Sequence, residues 1–61
     1  MNKPRAILIE MRQVGNMLRV AALDQATGRE VIVSGPPSQE EALKRTAIRK
    51  LEYMLGKEMK Q

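Results

Sequence analysis

Side chains able to do covalent or acid–base chemistry are few in this chain of 61 residues, which has no His and no Cys. Without imidazole there is no side chain that titrates near neutrality unaided, and the commonest metal ligand is missing. Without thiols there is no disulfide and no thiolate metal site. The hydroxyls are Ser34, Ser38, Thr27, Thr46 and Tyr53. With no His to act as base, Ser38 reads better as a helix cap and Thr27 as a turn residue. Lys44 and Lys50 would need burial to become nucleophiles, yet a lysine on a helix lays its stem on apolar surface and keeps its ammonium in water. Glu40, Glu41, Glu52 and Glu58 fall on one helix and read as solvated charges with i,i+4 partners such as Glu41–Arg45. The expectation is a protein that is not an enzyme, with no catalytic residue, no metal and no cofactor.

Non-covalent chemistry has more to offer. The chain carries eleven Lys and Arg against seven Asp and Glu, a net charge of +4. Residues 1–37 and 38–61 each contribute +2, so no basic tail stands out. No Gly-rich phosphate motif occurs. "SGPPSQEE" leads a glycine to a helix start, the usual anion position, but Glu40 and Glu41 occupy that turn and repel phosphate. Arg45, Arg49 and Tyr53 form an i,i+4 row, and with Lys50 and Lys57 they are the candidate nucleic-acid contact. Single-strand binders need rings to stack bases, and Tyr53 is the one aromatic. The second basic feature is "RQVGNMLR", residues 12–19, where Arg12 and Arg19 flank a turn.

The elements that position these residues follow from periodicity. Alternation predicts strands over about 6–14 and 17–23, joined by Gly15-Asn16 as the positive-φ pair of a two-residue hairpin loop. "DQATGRE" opens on Asp and closes on a left-handed Gly, a second hairpin signal. A β-branched strand follows over about 30–34. "SGPPS" ends the sheet, because consecutive prolines cannot continue a ladder. Ser38 with Glu41 is a capping box, which predicts a helix over about 39–55. Gly56 is its expected left-handed stop, with Lys57 and Lys60 near the negative end of the dipole. The fold class is α+β: one domain over 1–61, a three-stranded antiparallel β-meander packed against one C-terminal helix.

The turns set the register. A two-residue loop pairs Val14 with Met17, Arg12 with Arg19, Glu10 with Ala21 and Leu8 with Leu23. The second hairpin pairs Ala22 with Val31 and Val20 with Val33. One face then holds Ile7, Ile9, Met11, Leu18, Val20, Ala22, Val31 and Val33. It faces a helix arc of Leu43, Ala47, Ile48, Leu51, Met54 and Leu55. Met11 and Met54 read as core filler, and Met17 and Met59 as exposed.

A one-helix protein cannot cover the other face. That face carries Leu8, Val14, Met17, Ala21, Leu23 and Ile32 around Glu10, Arg12, Arg19 and Glu30. Like charges placed opposite each other destabilise a sheet, so the pairing of Arg12 with Arg19 asks for a reason. Scattered apolar residues on a solvated sheet are one reading. The other is an interface with a second copy or an unidentified protein partner. A domain of this size is marginal alone and without disulfide or metal it leans on a partner subunit. The expected function is therefore a protein-interaction module, a homodimer through the uncovered sheet face or its edges, with Leu8, Glu10, Arg12, Val14, Met17, Arg19, Leu23 and Ile32 as candidate interface. A twofold dimer brings Arg12 and Arg19 of one chain near Glu10 or Glu30 of the other. The nucleic-acid row is the alternative. It lies on the opposite side of the molecule from Arg12 and Arg19, so the two basic groups make no single track. No apolar run exceeds four residues, too short for a membrane span or a signal-peptide core. Lys3 and Arg5 before "AILI" mimic a signal peptide until Glu10 and Arg12, so the expected location is cytoplasmic.

Two resemblances bear on this. The β-β-β-α order with "EEALKRTAIRKL" resembles the C-terminal two-thirds of a double-stranded-RNA-binding domain. The first helix of that domain is missing, however, and this helix begins with acids where that family has lysines. The string "RQVGN…LRVAALDQATGREV…GP…LKRTAIRKLEYML", covering residues 10 to 55, resembles a family of short uncharacterised bacterial proteins, a domain of unknown function. That resemblance implies no activity and transfers no catalytic or ligand residues.

Overall fold

Two glycines turn the chain back on itself. Gly15 has φ +59° and Gly28 φ +80°, the only positive-φ residues among those described. A side chain there would be strained by its own backbone. They separate β1 (Ile7–Val14), β2 (Met17–Asp24) and β3 (Glu30–Gly35), which pair antiparallel in the order β1-β2-β3. The fold comes from a computed structural model that describes residues 6–59, with side-chain surroundings for 6–57. Lys60 and the side chains of Glu58 and Met59 lie outside the described residues. After β3, a 3-10 turn over Pro37–Gln39 leads into the helix α1 (Glu40–Met59). This is the expected meander with one C-terminal helix, and every cross-strand pair expected from the turns is present.

The core lies where the two patterns meet. Val20, Ala22 and Leu18 of β2 are buried against Leu43, Ala47, Leu51 and Leu55 of α1, with Ile7, Ile9, Val31, Val33 and Ile48 packed around them. Burying each of the Val and Leu side chains among the fully buried residues contributes about 1.5–3 kcal/mol, and each alanine less. Sheet and helix come close at Gly35, where a Cβ would stand 2.8 Å from a terminal methyl of Leu43.

Four local expectations need correction. The first turn has a single left-handed residue, Gly15, and Asn16 stays at negative φ. That is the pattern of a type II′ turn, in which only the first central residue needs positive φ. Ser38 is not a helix cap. The chain turns at Pro36 with Pro37 at the first position, and no side chain caps that turn, so Ser38 already lies inside the 3-10 turn. Gly56 does not stop the helix. It continues to Met59, and Gly56 has no left-handed φ. Met11 is not core filler. It is 46% exposed, because α1 packs over β2 and β3 and leaves β1 to one side. Met54, the other expected filler, is half-buried and is not among the residues that pack against this core.

The helix start also differs in its ion pairs. Lys44 Nζ reaches Glu41 at 3.0 Å and Glu40 at 3.8 Å, so Glu41 pairs at i+3 with Lys44 rather than with Arg45. Glu40 and Glu41 suit the positive end of the helix dipole. The second hairpin hangs on Asp24, which is fully buried. Its Oδ2 accepts from the Thr27 hydroxyl at 2.7 Å and the Thr27 amide at 3.1 Å. Its carbonyl accepts from the Gly28 amide at 2.8 Å. A buried carboxylate needs such donors.

Candidate interaction surface

The uncovered sheet face is ordered in rows by the register. Arg12 stands opposite Arg19, which stands opposite Ser34. The next row is Glu10, Ala21 and Ile32, and the next Leu8, Leu23 and Glu30. Val14 and Met17 close the hairpin end. Ala21 is the smallest side chain in the middle, and taller neighbours surround it. The result is a shallow hollow of about 170 Å³ lined by Glu10, Arg12, Arg19, Ala21, Glu30 and Ile32. The fit of a small side chain among long ones makes this depression, and the strand period of two puts all six on one face.

Of the expected interface residues, Leu8, Val14, Met17 and Ile32 are exposed, as are Glu10, Arg12 and Arg19. Leu23 and Ala21 are half-buried between their cross-strand neighbours. Among the described residues, no ion pair joins Glu10 or Glu30 to Arg12 or Arg19. Two cations and two anions thus share one open face and leave it near neutral. The arrangement can present opposite charges to a partner. Among the described residues, no three acidic side chains gather as metal ligands would.

Residues 4–58 match the family model of a domain of unknown function, DUF6898. The chain belongs to the DUF6898 family. The match spans both hairpins, the double proline and the helix, so the open face and the edges belong to the DUF6898 domain. No curated protein and no solved structure matches the chain.

The alternative surface of this DUF6898 domain is the outer face of α1. Arg45, Arg49, Lys50, Tyr53 and Lys57 are all exposed, Tyr53 at 71%. Leu43, Ala47, Leu51 and Leu55 turn inward, which directs the row of Arg45, Arg49 and Tyr53 away from the sheet. A shallow depression there is lined by Glu52, Tyr53, Gly56 and Lys57. The helix thus separates this row from Arg12 and Arg19, and Glu52 interrupts its basic character.

The sheet also has an open edge. β1 is an outer strand of eight residues, and its outer backbone groups have no ladder partner among the described residues. Strand order alone implies such an edge, and the hairpin register says which residues form it.

Proposed function

We propose that this DUF6898 domain is a binding module, not an enzyme, and that it self-associates as a homodimer through its uncovered sheet. The observation that carries this reading is the open face itself. Four charges without ion partners among one another stand between exposed Leu8, Val14, Met17 and Ile32. Apolar groups left in such a patch gain by leaving water. A near-neutral set of two Glu and two Arg is also self-complementary under a twofold operation.

Light scattering on a sizing column tests it, at low and high salt. A mass near two chains agrees with the reading, and a mass of one 6.9 kDa chain at all concentrations removes it. A second reading rests on exposed Tyr53 with Arg49 and Lys57 one turn away on either side. A nucleic-acid contact there gives binding that falls steeply with salt, and no binding of RNA or DNA at low salt ends it.

A further inference from the structure

We infer that the second copy pairs strand to strand along the outer edge of β1, antiparallel, with Met11 on the twofold axis. This rests on the self-association proposed above and places it at the edge of the uncovered sheet, where the two open faces join through Leu8, Glu10, Arg12 and Val14 while Met17 and Ile32 stay outside the contact. The backbone sets which residues can pair. Val14 and Met17 flank the two-residue turn, and such flanking residues exchange both of their hydrogen bonds. Pairs alternate along an antiparallel ladder, and at the far end the Gln25 amide donates to the Ala6 carbonyl at 3.1 Å. Even-numbered residues of β1 therefore turn their backbone groups to β2. Ile7, Ile9, Met11 and Gln13 turn theirs outward.

Only pairings that set these odd residues opposite one another make a ladder. Among them, side-chain charge selects one. Centring on Glu10 places Glu10 opposite its own copy, and centring on Arg12 does the same for Arg12. Centring on Ile9 leaves Glu10 opposite Leu8 and both charges without a partner. Centring on Met11 sets Glu10 opposite the second copy's Arg12, twice by symmetry. It also sets Leu8 opposite Val14, both exposed in one copy. On the other side of the sheet, Met11, 46% exposed, meets itself. The ladder holds roughly six backbone hydrogen bonds from Ile9, Met11 and Gln13.

Three further features fit. An eight-residue edge with no proline, lysine or bulge lacks several of the devices that block pairing, and the two charges it does carry, Glu10 and Arg12, are the ones this pairing matches. The helix lies over β2 and β3, so it leaves the β1 edge accessible. The other outer strand, β3, carries charge of one sign only, Glu30, and runs into Pro36-Pro37, so it has no comparable self-match.

The test is a charge swap. Glu10→Arg and Arg12→Glu each place like charges opposite one another at both symmetric contacts, and each is expected to weaken dimerisation roughly tenfold or more. The double swap E10R/R12E restores wild-type affinity within about threefold. Mixing the two single variants produces a heterodimer, since all contacts between them are then of opposite sign. A single cysteine in this Cys-free chain gives an independent readout. Met11→Cys should oxidise to a covalent dimer, because facing Cα atoms about 5.5 Å apart suit a disulfide, and Ile32→Cys should not. A monomeric wild type overturns the self-association reading and this geometry with it. A dimeric wild type whose single swaps stay dimeric, or which crosslinks through position 32 and not 11, overturns the edge geometry and leaves self-association standing.

Discussion

Replacing Gly56 with Ala separates two accounts of the helix end by the sign of its effect. In the structure Gly56 lies within α1, three residues before its last residue Met59, and without the left-handed φ of Gly15 or Gly28. An added Cβ meets nothing within 4 Å, so the effect is conformational alone. Gly in a helix interior costs about 0.5–1 kcal/mol relative to Ala, chiefly through the freedom it has when unfolded. Fraying near the end trims this to roughly 0.5 kcal/mol. A domain of this length shifts about 4–8 °C per kcal/mol, so Gly56→Ala should raise Tm by about 2–4 °C. Gly28→Ala is the internal contrast. Its Cβ also meets nothing, but its φ is +80°, and a left-handed L-residue costs about 1–2 kcal/mol. Tm should fall by about 4–16 °C on the same scale. Thermal melts followed by circular dichroism at one fixed protein concentration read both, because self-association makes Tm concentration-dependent. A fall in Tm for Gly56→Ala refutes the continuous helix and returns Gly56 to the role of a left-handed stop.

Asp24→Ala leaves the Thr27 amide and hydroxyl without their buried acceptor and should cost about 2–3 kcal/mol; urea unfolding checks it, and a loss below about 0.5 kcal/mol contradicts the role given to this carboxylate. Leu51→Ala opens a cavity at a fully buried position and should cost about 2–5 kcal/mol, enough to leave much of the chain unfolded at 25 °C by circular dichroism. Ser38→Ala should change stability by less than about 0.5 kcal/mol, whereas loss of a true helix cap costs about 1 kcal/mol; chemical denaturation tells the two apart.

Much of the sheet was legible because two-residue turns leave little freedom. Once Gly15-Asn16 is placed, Val14 and Met17 must face each other, and Arg12 with Arg19 and Met11 with Val20 follow by count. The helix was harder at both ends. Ser38 and Gly56 have the right identities for a cap and a stop, but prolines 36 and 37 already turn the chain, and the helix runs past Gly56. Residue preference at a helix end is weak against the backbone on either side of it. Met11 alternates like a core residue, yet periodicity cannot say how far across a sheet one helix reaches. Asp24 reads as a turn opener, and its complete burial depends on how the second hairpin folds over it. The open face was legible as a surface left uncovered by a single helix. That the sheet has open edges was legible from strand order, and which backbone groups of β1 point outward followed from the hairpin register.

The central claim is that a second copy of the chain completes the uncovered sheet, and backbone amide hydrogen exchange on β1 tests it most directly. The amides of Ile9, Met11 and Gln13 should gain protection as protein concentration rises, while those of Gly15 and Asn16 at the turn exchange fast throughout. If the three β1 amides exchange as fast as the turn at every concentration, the edge is bare in solution and the account is contradicted.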